Sequence, residues 1–258
     1  MINSAVIIGS GNVATHLSLA LKNAGVRIAC VCSPSETNAA SLAKKLDTAY
    51  VLDVRDINAD ADIYIFSVKD SILQSVIARM EPSDAIWVHT AGGMDMDVFK
   101  GKADNYGVLY PLQTLSKERE VDFGRVPLLI EGSNKNTLKE IKELAGRLSE
   151  NVNEADSAQR KRLHLAAVFA SNFTNHLYDI ASETLKTANL PFSVLLPLIE
   201  ETAAKVKTML PRSAQTGPAV RYDKNVMDSH LSLIEDEEIK NIYSALSDSI
   251  HKSSLIKE

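Results

Sequence analysis

The chain has 258 residues, 45% of them hydrophobic, and a formal net charge of −5. That is enough apolar material for the core of one large domain or two ordinary ones, and without a long block of like charge it offers neither a nucleic-acid footprint nor a polybasic membrane patch. No basic segment precedes the first apolar run, which Gly9, Asn12 and His16 interrupt, so neither a signal peptide nor a spanning helix is expected and the cytoplasm is the default compartment.

Ser4-Ala5-Val6-Ile7-Ile8 reads as a buried strand and runs into Gly9-Ser10-Gly11-Asn12-Val13-Ala14, a G-x-G-x-x-A turn opening a helix over about 11–24. In this order Gly9 permits the tight turn, Gly11 lets a pyrophosphate approach the main chain, and Ala14 lets the helix pack closely on the strand. The unpaired N–H groups of Asn12 and Val13 and the positive end of the helix dipole then face the anion. The alternative is a tight turn that binds nothing.

The second strand, 27–32, carries Cys30 and Cys32, whose spacing points both side chains to one face and suits packing rather than a disulfide. No Cys/His spacing resembles a structural zinc site, and no metal is expected. Where NAD-binding versions of such a fold end the second strand with a carboxylate for the ribose hydroxyls, this chain has Cys32-Ser33-Pro34-Ser35. Ser33, Ser35 and the N–H groups of the next helix, 35–46, could take a 2′-phosphate, which favours NADP over NAD although no arginine stands in the turn and Glu36 is close. N-capping of the helix is the plain alternative for the serines.

Strands follow at 62–67, 85–89, 106–110 and 126–130, with helices at 70–80 and 134–149. The alternation predicts a mostly parallel, doubly wound sheet covered on both faces. Ser67, Val68 and Lys69 end one strand at the carboxyl edge, where ligands of doubly wound folds collect, so they would pass beneath the cofactor's ribose and nicotinamide. His89 and Thr90 end the next; His89 suits proton transfer near neutral pH or could simply close a strand by hydrogen-bonding a loop.

The strand–helix alternation runs to about residue 152 and from Asp156 onward the strand signal stops, so the expected organisation is a Rossmann domain over 1–152 and an all-helical domain over 153–258. The helical half reads as one long helix over 158–187, with further helices at 192–208, 224–233 and 236–250; Pro197 sits at an N-terminal turn or a kink. In the long helix, His164 and Ser171 are seven residues apart and share a face, with Asn172 roughly 80° round and about 12 Å further along. These polar groups could line a cleft holding a nicotinamide and a small substrate, with His164 as first choice for the chemistry, or could serve helix packing or dimer contacts. Arg221, in the loop Gln215–Asp223, is a candidate for a substrate carboxylate, or for a structural pair with Asp223.

Together these segments resemble Rossmann-like proteins with a C-terminal domain of unknown function 2520. The likeness covers nearly the whole chain and rests on Gly9 to Ala14, His89-Thr90-Ala91-Gly92, Tyr110-Pro111-Leu112-Gln113-Thr114, His164 to Asn172 and Thr216 to Asp223. More distantly, Gly11-Asn12 and Val68-Lys69 resemble pyrroline-5-carboxylate reductase, and the two-domain plan is similar to ketopantoate reductase, the β-hydroxyacid dehydrogenases and proteins with a 6-phosphogluconate dehydrogenase C-terminal-like half. The resemblance implies an NADP-dependent oxidoreductase, related to coenzyme F420-dependent NADP oxidoreductases, and a homodimer. Two departures stand out. Tyr110 replaces the family's usual histidine before Pro-Leu-Gln-Thr, and Lys69 stands where proline usually follows the valine. The lysine characteristic of β-hydroxyacid dehydrogenases is also absent from the long helix, where His164 appears.

The function expected is hydride transfer between NADP(H) and a small carbonyl or imine compound bound between the two domains near His89, Tyr110, His164 and Asn172, with Arg221 hinting at an acid. The rivals are a nucleotide-sensing protein that binds NADP without turnover, and a methyltransferase.

Overall fold

The computed structural model describes residues 1–256. The amino-terminal part alternates strand and helix: β1 (Ser4–Ile8), α1 (Asn12–Asn23), β2 (Arg27–Cys32), α2 (Glu36–Leu46), β3 (Ala49–Val51), β4 (Ile63–Phe66), α3 (Asp70–Ala78), β5 (Ile86–His89), β6 (Tyr106–Pro111), β7 (Leu128–Gly132), α4 (Lys135–Leu148) and β8 (Val152–Glu154). These strands form one eight-stranded sheet in the order β3-β2-β1-β4-β5-β6-β7-β8. All neighbours are parallel except β6 and β7, which run antiparallel. The strand order reverses between β1 and β4, where doubly wound folds bind their ligands.

Period-2 alternation sorts the strand side chains onto two buried faces. Ala5 and Ile7, Val31, Ile63 and Ile65, Val88, Leu109 and Ile130 pack with α1, α2 and α4 in one core cluster. Val6, Ile8, Phe66 and Trp87 pack with Leu73, Ile77 and Phe99 in the other, which also takes Cys30 and Cys32 as free thiols. Burial pushes the Cys32 thiol up to about 12 and moves Cys30 the same way, so both act as small hydrophobes.

The carboxyl half is helical: α5 (Ser157–Ala167), a π-helical segment Val168–Phe173, then α6 (Thr174–Thr187), α7 (Leu196–Lys205), α8 (Pro211–Ala214), α9 (Pro218–Arg221), α10 (Lys224–Leu233) and α11 (Glu237–Leu255). Pro197 lies in the first turn of α7, where its missing N–H is harmless. No described helix is long and apolar enough to cross a membrane.

Contacts divide the chain into compact units at Asn172 and Phe173, whereas the sequence suggests 152/153. The difference has two causes. Val152–Glu154 adds to the sheet beside β7, and α5 is tied into the first unit by the fully buried Arg160. The expected uninterrupted helix over 158–187 also differs: the π turn between α5 and α6 breaks the 3.6-residue phase, so the seven-residue spacing of His164 and Ser171 no longer implies a shared face.

Gly9 has φ +121°, and a Cβ there would lie 2.2 Å from the Ser67 carbonyl oxygen. The backbones of β1 and β4 approach too closely at the switch point for any side chain. Gly9→Ala is therefore expected to lower stability by about 3 kcal/mol or more in urea unfolding. By contrast, a Cβ on Gly11 meets nothing within 4 Å, and Gly11→Ala should stay within about 1 kcal/mol of wild type.

Candidate active site

The carboxyl edge of the sheet begins with the glycine turn. Gly9 N–H donates to the Cys32 carbonyl at 2.8 Å and Ser67 N–H to the Ile8 carbonyl at 2.7 Å, fixing the turn between β2 and β4. Gly11 occupies the N-cap of α1 with no side-chain cap, which leaves the first N–H groups, at Asn12 and Val13, facing outward for an anion. The Ser10 and Asn12 side chains are committed elsewhere: Ser10 Oγ donates to Ser33 Oγ at 2.7 Å, and Asn12 Nδ2 to the Leu115 carbonyl at 2.7 Å. Ser33 is buried, whereas Ser35 is exposed at the N-cap of α2 without capping it. Further along the edge, Thr90 Oγ1 donates to Ser67 Oγ at 3.2 Å, Val68 is half-buried against the second core, and Lys69 is exposed at the N-cap of α3.

Past β5 the edge carries a tyrosine–histidine pair. Tyr110, in β6, places its Oη 3.0 Å from Nδ1 of His164 in α5, and the two rings meet edge to face at 6.0 Å. Gly92 makes the room: a Cβ there would lie 2.6 Å from the His164 ring and 2.9 Å from Tyr110 Cζ. Burial, reinforced by Asp70 and opposed by Arg160, pushes the Tyr110 hydroxyl above its ordinary value. Tyr110 therefore keeps its proton near neutral pH.

One turn before His164, on the same helix face, stands Arg160. Its side chain is fully buried and its Nη1 pairs with Glu131 of β7 at 2.5 Å. Its Nη2 donates to the Met94 carbonyl and to Ser157 Oγ. Ser157 ties the cluster together: its N–H and Oγ donate to the two Glu131 carboxylate oxygens at 3.0 and 2.8 Å, while its Oγ accepts from Met96 N–H. An Asp156–Gln159 capping box closes the start of α5.

His89 lies beneath this cluster with no solvent exposure, its ring tilted against Phe99 with 5.8 Å between centroids. Its Nδ1 accepts from Ala91 N–H at 3.2 Å, while its Nε2 has no hydrogen-bond partner. Burial, and after it the Arg160 guanidinium, push its pKa down to about 4 against a weaker pull from Asp95. It is a neutral structural ring, well separated in character from the half-exposed His164. In the π segment Ser171 is half-buried and Asn172 exposed. Arg221 lies in the second unit and is exposed; Asp223 caps α10 through Val226 N–H instead of pairing with it.

The sequence reading missed Glu131, Ser157, Arg160 and the clearance at Gly92. Arg160 stands beside Lys161 and Arg162 and reads as part of a solvated charge run; the signal available was its four-residue spacing from His164.

A doubly wound sheet with an uncapped glycine turn at its switch point defines the molecule as a dinucleotide-binding Rossmann protein. Residues 4–91 match the family described as NADP oxidoreductase, coenzyme F420-dependent, and residues 126–250 match the domain of unknown function 2520. A solved "putative NADP oxidoreductase" from Bacteroides fragilis is 48% identical, with a TM-score of 0.91 over 97% of this chain and 98% of that one. At the level of fold alone, the chain is similar to an imine reductase from Myxococcus stipitatus in complex with NADP+ (16% identity, TM-score 0.62, covering 96% and 92% of the two chains). It is likewise similar to 1-pyrroline-5-carboxylate reductase from Streptococcus pyogenes (13%, 0.63, covering 98% of each). No protein of curated function matches the sequence. The chain belongs to the Rossmann-like NADP oxidoreductases that carry a C-terminal domain of unknown function 2520.

NADP is the cofactor of this family, and the glycine turn fits it. The space over Gly11 is free of protein atoms within 4 Å, and the α1 terminus has no cap of its own to compete with a phosphate.

A neutral buried His89 makes stability depend on pH with a definite sign. The unfolded chain takes up the proton near the ordinary value of 6.5 and the folded chain only near 4, so stability is full above the first value and falls as pH drops toward the second. Urea unfolding at pH 7 and pH 4.5 should show a loss of up to about 3 kcal/mol that is absent in His89→Gln. Equal slopes in the two proteins would contradict the assignment.

Proposed function

We propose that the protein transfers a hydride between NADP(H) and a small carbonyl or imine compound, with His164 as proton donor and Tyr110 as the residue that holds it. The observation that carries this is the 3.0 Å contact between Tyr110 Oη and His164 Nδ1 at the carboxyl edge of the sheet. When bound, NADPH supplies the hydride; the chain's own groups manage the proton. A protonated His164 donates Nδ1–H to Tyr110 Oη and offers Nε2–H to the substrate. After transfer the ring is neutral, and the retained Nδ1–H still donates to the tyrosine oxygen, which fixes ring orientation throughout. Tyr110 thus does the work of an orienting group in place of the family's usual histidine. Gly9 is assigned to shaping the turn, the backbone N–H groups of Gly11, Asn12 and Val13 to the pyrophosphate, and Ser67, Val68, Lys69 and Thr90 to the rest of the cofactor shelf. Ser171 and Asn172 are assigned to substrate. Arg221 suits a carboxylate because its guanidinium is exposed and no ion pair engages it among the described residues. His89 supports the site from below, being neutral and enclosed.

Turnover of NADPH with a panel of ketoacids, aldehydes and cyclic imines tests the assignment. His164→Ala is expected to lose about 10²- to 10⁴-fold in kcat, and Tyr110→Phe a smaller part of that, with NADP affinity unchanged in both. Unaltered kcat in His164→Ala would remove His164 from the chemistry. Binding of NADP with no turnover of any compound would favour a nucleotide-responsive binding protein.

The working form is proposed to be a homodimer. Helices α6, α7, α10 and α11 contain no buried residue, and they expose Leu177, Leu196, Leu198, Val226, Leu233 and Leu246. Apolar surface on this scale ordinarily marks an interface. Sedimentation equilibrium at micromolar concentration should give twice the 28.1 kDa chain mass; a monomer would contradict the proposal.

A further inference from the structure

The turn after β2 poses an electrostatic problem for the cofactor of this family. From Cys32 to Asn38 it holds no lysine or arginine, and Glu36 is its one charged residue. A 2′-phosphate is close to dianionic at neutral pH, and seating it beside a carboxylate with no cation would be unfavourable. Ser33, moreover, is buried and bonded to Ser10, so the local sequence leaves little beyond Ser35.

The cation comes from a distant segment. The loop after β6 is pinned across the start of α1 at two points: Asn12 Nδ2 donates to the Leu115 carbonyl at 2.7 Å, and His16 Nε2 lies 2.9 Å from the Ser116 carbonyl. A carbonyl can only accept, so that Nε2 carries a proton. The next residue, Lys117, is thereby held over the start of α2, where its Nζ donates to Asn38 Oδ1 at 3.3 Å. Asn38 Nδ2 in turn donates to Ser35 Oγ at 3.0 Å. The chain Lys117–Asn38–Ser35 ends on the N-cap of α2, in the short turn that follows β2, where the adenosine ribose of a dinucleotide lies in this fold.

Four features suit this cluster to a phosphate. Lys117 makes no ion pair among the described residues, so its charge is not already neutralised by a carboxylate. An ammonium has three donors and the contact to Asn38 uses one. The α2 terminus has no side-chain cap, because the Ser35 hydroxyl meets the Asn38 side chain rather than the backbone N–H groups of the first turn. The Tyr50 hydroxyl draws Glu36 toward β3 at 3.5 Å.

We infer that Lys117, supported by Asn38 and Ser35, forms the 2′-phosphate site by which this oxidoreductase selects NADP over NAD. The inference rests on the NADP assignment of the proposed function and adds a residue far outside the dinucleotide motif, 79 positions in sequence from its partner Asn38.

Isothermal titration of the full chain with NADP+ and with NAD+ tests it, using wild type, Lys117→Met, Lys117→Arg and Asn38→Ala. Lys117→Met should weaken NADP+ by about 10- to 100-fold and leave NAD+ unchanged. Lys117→Arg should keep most of the preference, and Asn38→Ala should lose a smaller share of it. Retained NAD+ affinity also shows that each variant is folded. Unchanged NADP+ affinity in Lys117→Met, or equal weakening of both nucleotides, would overturn the inference while leaving the cofactor in place. A wild-type protein that bound neither nucleotide would overturn the cofactor assignment and the inference with it.

Discussion

The buried pair of Arg160 and Glu131 is the constraint on which the site depends. The guanidinium is fully enclosed, and desolvating both charges consumes much of their mutual attraction, so such a pair contributes little net stability. Its role here is positional. Glu131 lies on β7, Met94 and Met96 follow β5, and Ser157 and Arg160 open α5; the hydrogen bonds among them fix the helix against the sheet in one register. One helical turn later the same face delivers His164 to Tyr110. Removing one partner would leave the other charge unpaired, a loss on the order of 3–5 kcal/mol.

Space is the complementary requirement. Gly92 and Gly9 are both places where a Cβ would strike other groups within 3 Å, and each sits at the carboxyl edge of a strand. Gly9 lets β1 and β4 come together where the phosphates are expected, and Gly92 lets an imidazole and a phenol meet. Gly11 differs, since its missing side chain leaves a volume open rather than relieving a collision. The proposed chemistry therefore uses one glycine for each of three tasks: fold closure, cofactor access and side-chain pairing.

Much of the architecture was legible because it follows from period and punctuation. The apolar run Ser4–Ile8, the glycine turn after it and the recurring β-branched runs can form little other than a doubly wound sheet. The three-residue edge strands at 49–51 and 152–154 were not legible, being too short to show alternation. Nor was the π segment, because nothing in Val168–Phe173 distinguishes an i→i+5 turn from an ordinary helix by composition. Within the site, Tyr110 and His164 were named separately, but their contact joins residues 54 apart in sequence, and no local pattern reports such a meeting. His89 shows the opposite limit: its residue type suited proton transfer, while burial decides that it remains neutral. Lys117 stands in the mixed-charge run Lys117-Glu118-Arg119-Glu120, which carries no local signal of a site, and only the two anchors on α1 reveal where that loop leads.

In the proposed reaction the anchored tyrosine–histidine pair faces the reacting end of the cofactor, and a crystal structure of the full chain with NADP+ would show this. The nicotinamide C4 is expected to open onto His164 Nε2 across a gap sized for a small substrate, with Tyr110 still hydrogen-bonded to Nδ1. A nicotinamide turned away from the pair, or a His164 released from Tyr110 when the cofactor is present, would contradict it.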